Sequence, residues 1–155
     1  MQAKWSKPNP IHKIGAPSKP GIYIIMSLRP VRRIGGIDPK GILYVGQSGA
    51  LQGRLDQFWS AYHPASGLLW DHPEIARNYL GKRCSSQDAV GNLLGNLYAK
   101  IMPLASKELD KAERALLFAY VYRFGEPPHL NFNLPGHWEK KPDKKELQWA
   151  KRGIR

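Results

Sequence analysis

Two short β-forming runs, joined by a loop rich in proline, glycine and arginine, constrain the fold of this chain most strongly. The runs are GIYIIMS (21–27) and GILYVGQS (41–48), and both are rich in β-branched and aromatic residues. The turn-forming residues between them predict an antiparallel hairpin. Because side chains alternate between the two faces of a strand, an aligned register would place Tyr23 and Tyr44 on one face, with Gly46 leaving space beside them.

The remaining segments predict helices and one more strand. The predicted elements are a helix over 51–63, a short helix that Asp71 opens and that runs through about residue 80, a strand over 97–105, and helices over 107–124 and 144–152. Strands and helices that are segregated in this way are typical of an α+β fold. We therefore expect a small antiparallel three-stranded sheet flanked by helices.

Chain length and the distribution of lysine and proline indicate one domain with two basic flanks. At 155 residues the chain is long enough for a single core of modest size. Residues 1–19 are predicted to form an extended basic arm, because the prolines there block a regular helix. Residues 20–134 form the predicted domain, and residues 135–155 form a basic tail that contains the last helix.

The chain carries a large excess of positive charge. It contains 24 Lys and Arg against 12 Asp and Glu, a formal net charge of +12 at pH 7. Such an excess favours a polyanionic partner, with nucleic acid ahead of an anionic membrane. No apolar run approaches the roughly 18 residues of a membrane span, so we expect no membrane partner. The single Cys84 and the lack of a secretory apolar region near the start predict a reducing, cytoplasmic location.

Two charged residues occupy helix faces that should pack against the core. Arg54 lies between Leu51 and Phe58 at helical spacing, so its guanidinium either extends along the core to solvent or binds an anion. Glu113 shares a helix face with Leu109 and other apolar residues. A carboxylate on such a face is costly unless it is paired or bound to a metal ion. The alternatives for Glu113 are an ion pair with a nearby Arg or Lys, exposure in the first turns of its helix, or a metal site.

The order of these residues resembles the GIY-YIG nuclease family. The chain has Gly-Ile-Tyr ending at Tyr23, Tyr-Val-Gly beginning at Tyr44, and Gln-Ser-Gly-Ala-Leu-Gln-Gly-Arg ending at Arg54. Glu-Arg-Ala-Leu-Leu beginning at Glu113 and Pro-Pro-His-Leu-Asn ending at Asn131 follow, and they are similar to the later motifs of the family. The resemblance spans roughly residues 20 to 132, and the ordered series is more specific than any one motif.

The resemblance implies a metal-dependent endonuclease that hydrolyses phosphodiester bonds in DNA. In that activity Tyr23 would act as general base or orient the attacking water, and Tyr44 would bind the phosphate or assist that water. Arg54 would neutralise charge on the phosphoryl oxygens. Glu113 would hold one divalent ion, Mg²⁺ or Mn²⁺, and Asn131 would support the site as a hydrogen-bond partner.

The loop between the two tyrosine strands is longer than is typical of the family and carries most of the predicted nucleic-acid contacts. Those contacts are Arg29, Arg32, Arg33, Lys40, Gln47 and Ser48. Cations placed there would bind phosphates whether or not cleavage follows. Cutting both strands of a duplex would require a homodimer, whereas a monomer would nick the duplex or cut single strands.

Several departures from the family pattern leave an alternative open. An ungapped alignment backwards from Asn131 puts Ala119, rather than Glu113, at the position of the metal ligand. Gln47 stands where some relatives have lysine, and Phe58 where many have histidine or tyrosine. If Ala119 is the true equivalent, the chain is a basic nucleic-acid-binding module without catalytic turnover.

Three tryptophans lie in the basic flanks, at positions 5, 138 and 149. Indole rings among lysines either stack on exposed bases or anchor the flanks to the core. The sequence leaves both interpretations open.

Overall fold

The computed structural model describes residues 4–62, 97–131 and 140–154. The short helix predicted between residues 71 and about 80 lies outside the described residues. The described elements in chain order are strands β1 (Asn9–Pro10), β2 (Gly21–Met26), β3 (Val31–Arg33), β4 (Gly36–Asp38) and β5 (Ile42–Ser48), helix α1 (Leu51–Tyr62), strand β6 (Tyr98–Pro103), and helices α2 (Leu109–Phe124) and α3 (Lys144–Ile154).

The main sheet is antiparallel and has the strand order β1-β6-β2-β5. The predicted α+β class is confirmed, but the prediction of three strands in this sheet is wrong. The fourth strand, β1, comes from the segment that was expected to be an extended arm, and it pairs Asn9 with Ala99. The cause is the open edge of β6, where the Ser6 N–H donates to the Ile101 carbonyl at 2.9 Å and the Ile11 N–H donates to the Leu97 carbonyl at 3.0 Å.

Strands β2 and β5 pair in a register that aligns the two sequence motifs. Tyr23 lies opposite Gly46, and Ile25 lies opposite Tyr44. The pairing then shifts so that Met26 faces Ile42, which leaves Leu43 as an extra residue in β5. This bulge puts Leu43 and Tyr44 against the same hydrophobic cluster, although they are neighbours on a strand.

The sheet separates two hydrophobic clusters. On one face Tyr23 and Ile25 pack with the buried stripe of α1, which includes Leu55 and Phe58. On the other face Ile22, Ile24 and Met26 pack against α2 and α3. Because helices cover both faces, every residue of β2 is buried.

Helix α2 ends where the sequence predicts and begins later than expected. Gly125 ends it in a left-handed conformation with φ 77°, and its N–H donates to the Val121 carbonyl at 2.8 Å. A 3₁₀ turn over Ser106–Glu108 precedes the helix, and neither the turn nor α2 begins with a side-chain cap. The sequence alone does not distinguish these two starts, since the polar residues ahead of Leu109 suit a 3₁₀ turn and a first α-helical turn equally well.

The two described tryptophans of the flanks anchor those flanks to the core. The Trp5 and Trp149 rings stack with centroids 6.3 Å apart, and both pack against the α2 and α3 cluster. The Lys100 ammonium lies 4.8 Å from the Trp5 ring centroid and donates to the Gly153 carbonyl at the end of α3. Trp138 lies outside the described residues. None of the helices in the described ranges is long and apolar enough to cross a membrane.

Candidate active site

The two tyrosines of the motifs lie over one glycine. Their ring centroids are 5.7 Å apart, with the planes tilted by 35°. A Cβ atom added to Gly46 would come within 2.5 Å of the Tyr44 ring and 2.8 Å of the Tyr23 hydroxyl oxygen. Glycine is therefore required here, because any side chain would occupy the space in which the two phenol rings lie.

Tyr23 is almost completely buried, at 1% exposure, and its surroundings keep its phenol protonated. Burial is the main cause that raises the pKa of Tyr23 well above its usual value, and Tyr44 and the Glu113 carboxylate add to the effect. The positive charge of Arg54 acts in the opposite direction. The three groups that the sequence paired with Tyr23 thus all act electrostatically on its hydroxyl.

Arg54 is placed by helix α1, whose first turn is tied to the chain that precedes the sheet. The Leu51 N–H donates to the Lys19 carbonyl at 2.9 Å, and the Gln52 N–H donates to the Pro17 carbonyl at 3.2 Å. These bonds satisfy donors that a helix start otherwise leaves unpaired. Arg54 itself is half-buried between the core residues Leu51 and Leu55, which agrees with the predicted position beside the buried stripe.

Glu113 lies on α2 in a small polar cluster with Gln47 of β5. The Gln47 amide donates to the Asp110 carboxylate at 2.7 Å and also forms a hydrogen bond with Glu113. Burial raises the pKa of Glu113 to about 7; the Gln47 hydrogen bond lowers it, and the Asp110 charge raises it. Gln47, which was predicted to contact nucleic acid, therefore bridges two carboxyl groups. Asp110 was missed by the sequence analysis, although its spacing of three residues from Glu113 places both on one helix face.

Asn131 lies at the outer edge of β5, where its side chain forms the hydrogen bonds that a neighbouring strand would otherwise form. Its amide donates to the Val45 carbonyl at 2.8 Å, and its side-chain oxygen accepts from the Val45 N–H at 2.9 Å. Asn131 is buried, and its own N–H donates to the Pro128 carbonyl at 2.9 Å. It thus fixes β5 at the residue between Tyr44 and Gly46, which is a supporting position.

The predicted nucleic-acid contacts separate into exposed and internal groups. Arg29 and Arg32 are exposed, and Lys40 is half-buried. The Ser48 hydroxyl forms a turn, accepting from the Ala50 N–H at 3.0 Å and donating to the Ala50 carbonyl at 2.9 Å, so it positions the start of α1.

Arg33 does not belong to the exposed group. Its side chain is 0% exposed, and its guanidinium donates to the Ile42 carbonyl at 2.9 Å. It also lies 5.6 Å from the Tyr120 ring centroid and 4.0 Å from the Glu126 carboxylate. We therefore leave Arg33 out of the nucleic-acid surface, because its charge is used inside the fold.

Glu113 and Ala119 occupy different surroundings on α2. Ala119 is 1% exposed and lines a groove with Lys151 and Ile154 of α3. Glu113 contacts β5 through Gln47 and influences the pKa of Tyr23. The carboxylate beside the tyrosines is therefore that of Glu113.

The donor set at Glu113 fits a hard divalent ion that binds together with a substrate. Over residues 4–62, 97–131 and 140–154, no three His, Cys, Asp or Glu side chains converge on one point. Mg²⁺ sites of phosphate-processing proteins commonly use one or two carboxylates, with water and substrate oxygens completing the shell. Glu113, with Asp110 nearby, supplies those one or two carboxylates, and water and substrate oxygens would have to supply the other ligands.

Comparisons with protein-family models, curated proteins and solved structures gave no match. The site geometry and the order of its residues are therefore the grounds on which a function is assigned.

Proposed function

We propose that this protein is a metal-dependent endonuclease of the GIY-YIG type that hydrolyses phosphodiester bonds in DNA. The observation that carries the proposal is the environment of Tyr23, whose hydroxyl is influenced at once by Tyr44, Arg54 and Glu113. A cation, a second hydroxyl group and a carboxylate around one tyrosine are groups that phosphoryl transfer uses for positioning and charge neutralisation.

Each side chain has a distinct task in this proposal. Arg54 attracts the phosphate and neutralises the charge that develops on its oxygens. Because the pKa of Tyr23 is raised, its phenol enters the reaction protonated and orients the attacking water by hydrogen bonding, while that water passes its proton to a phosphoryl oxygen as the new P–O bond forms. Tyr44 binds the phosphate beside it. Glu113 would hold the divalent ion, Mg²⁺ or Mn²⁺, which would supply charge to polarise the phosphate and stabilise the leaving oxygen.

A second candidate function is a nucleic-acid-binding module without turnover. It is favoured by the same raised pKa of Tyr23, which makes the phenol a poor base, and by the raised pKa of Glu113, which leaves a substantial fraction of that carboxyl protonated near neutral pH. The exposed Arg29 and Arg32 would bind phosphates in either case.

Cleavage assays with matched variants distinguish the two functions. Supercoiled plasmid and labelled single-stranded DNA are incubated with Mg²⁺, Mn²⁺ or EDTA, using wild type, Glu113→Gln and Asp56→Asn. Asp56 is an exposed carboxylate of α1 and serves as the control. We expect metal-dependent cutting by wild type and by Asp56→Asn, and none by Glu113→Gln. DNA binding without cutting by wild type would reject the endonuclease in favour of the binding module.

A further inference from the structure

The loop between β2 and β5 forms a separate hairpin with one covered face and one open face. Strands β3 and β4 pair Arg32 with Ile37 and Arg33 with Gly36. Arg33 and Asp38 are buried, at 5% and 0% exposure, whereas Arg32 and Ile37 are exposed. Since side chains alternate along a strand, Arg32 and its partner Ile37 share the outer face of this two-stranded ribbon.

The inner face is tied firmly to the body of the domain. The Tyr120 hydroxyl of α2 donates to the Asp38 carboxylate at 2.8 Å, and the Ile42 N–H donates to it at 2.7 Å. At the turn, the Gly35 N–H donates to the Phe124 carbonyl at 2.8 Å. The ribbon is therefore held as a rigid platform, and its outer side chains are presented in fixed positions.

The outer face combines apolar side chains with positive charge. Ile34 at the turn is 81% exposed, and Ile37 is 63% exposed. Arg29 and Arg32 are the exposed cations of this segment, and its only acid, Asp38, is completely buried. An apolar strip flanked by cations complements a groove of base edges that runs between two rows of phosphates.

We propose that the outer face of β3 and β4 lies in the major groove of duplex DNA, where Arg32 contacts guanine and Ile37 contacts thymine methyl groups. The major groove admits a two-stranded β-ribbon, arginine pairs with the O6 and N7 atoms of guanine, and apolar side chains contact the C5 methyl of thymine. Arg29, outside the paired strands, binds a flanking phosphate. The proposal rests on the proposed function, because it takes the partner of that site to be DNA and adds that the DNA is a duplex.

The test selects bound molecules from a pool of duplexes with a randomised centre, in EDTA, so that binding is read without cleavage. Wild type is compared with Arg32→Ala, with Ile37→Ser, and with Lys145→Ala as an exposed control on α3. We expect wild type and Lys145→Ala to enrich one motif that contains guanine and thymine. Arg32→Ala should lose the guanine preference by about tenfold or more, and Ile37→Ser should lose the thymine preference.

Replacing thymine by uracil in the enriched duplex removes only the methyl group. Uracil should weaken binding of wild type and leave binding of Ile37→Ser unchanged. Thermal melting of each variant shows that it is folded, as expected for changes at exposed positions. An unchanged motif in both variants, no enrichment at all, or a preference for single strands or RNA would overturn the proposal.

Failure of this inference and failure of the endonuclease give different results. If enrichment of a motif depends on Arg32 but no metal-dependent cutting is seen, the ribbon contacts bases and the nuclease proposal is rejected. If metal-dependent cutting occurs and neither cutting nor the enriched motif depends on Arg32 or Ile37, the nuclease proposal stands and the proposed base contacts of the ribbon are rejected. With both intact, the cut should fall at a fixed distance from the motif.

Discussion

Tyr23 and Gly46 lie directly opposite each other on β2 and β5, and the hydroxyl oxygen of Tyr23 lies within 2.8 Å of the position that a Gly46 side chain would occupy. The glycine of the second motif thus makes space for the tyrosine of the first. This relationship explains why the two motifs pack as one unit, although about twenty residues separate them in sequence.

Replacing Gly46 by alanine should therefore displace the phenol rings. We expect Gly46→Ala to lower the free energy of unfolding by about 1–3 kcal/mol, since Tyr23 is buried and has little room to move. Cleavage should fall at least about tenfold at temperatures where the variant is folded. Gly53→Ala on α1 is the control, because a Cβ there meets no atom within 4 Å and should stabilise the helix. A wild-type cleavage rate in Gly46→Ala would show that cleavage does not depend on the positions of the Tyr23 and Tyr44 rings.

The raised pKa of Glu113 should make stability depend on pH. The folded carboxyl has a pKa of about 7 against an ordinary value of 4.5, so the folded state binds more protons than the unfolded state between these values. The contribution of Glu113 to the free energy of unfolding should therefore decrease as pH rises from about 4.5 to 7.

Glu113→Gln removes that dependence because the amide does not titrate. Relative to wild type, this variant should gain on the order of 1–3 kcal/mol between pH 4 and pH 8. Urea unfolding at a series of pH values measures the difference. If the difference in free energy of unfolding between wild type and variant is constant over this range, the pKa of the Glu113 carboxyl is not raised in the folded state.

Metal affinity should depend on the two neighbours of Glu113. A carboxyl must lose its proton to bind a divalent ion, so the apparent Mn²⁺ affinity should fall about tenfold per pH unit below pH 7. Asp110→Asn removes a negative charge that raises the pKa of Glu113, so the pH midpoint of Mn²⁺ binding should move to lower pH. Gln47→Ala removes a hydrogen bond that lowers this pKa, so the same midpoint should move to higher pH. Mn²⁺ titrations followed by electron paramagnetic resonance report both shifts. Equal midpoints in the three proteins would place the metal elsewhere.

Asn131 should act through β5 and not through the reaction. Asn131→Leu leaves the N–H and the carbonyl of Val45 without partners at a buried edge, which should cost about 2–4 kcal/mol in the free energy of unfolding. Asn131→Asp keeps the acceptor but places a carboxylate oxygen against the Val45 carbonyl, so its cost should decrease at low pH, where the carboxyl is protonated and can donate. Denaturant unfolding measures both. Lost cleavage with unchanged stability in either variant would instead assign Asn131 a direct part in the chemistry.

The elements that sequence predicted well are those whose pattern is local. The alternation in GIYIIMS and GILYVGQS placed both tyrosines on one face, and the apolar stripe of α1 set Arg54 beside the core. The bulge at Leu43 was not foreseen, because a single extra residue leaves no signal in the alternation.

The features that sequence missed depend on distant residues. β1 is only two residues long and contains Pro10, so it forms because β6 offers an open edge and not because of its own propensity. Arg33 stands among exposed arginines in sequence, yet its burial is set by Tyr120 and Glu126, roughly ninety residues away. The bridge from Gln47 to Asp110 likewise joins β5 to α2. No local pattern reports such contacts.

The most direct test of the account is the cleavage rate of Tyr23→Phe, with DNA binding measured in parallel. The phenylalanine keeps the buried ring and removes only the hydroxyl, and Tyr122→Phe removes a hydroxyl from a residue that is 78% exposed. We predict that Tyr23→Phe binds DNA as wild type does and cleaves on the order of 10² to 10³ times more slowly, while Tyr122→Phe cleaves normally. Wild-type cleavage by Tyr23→Phe would contradict the account, since the active site would then lie elsewhere.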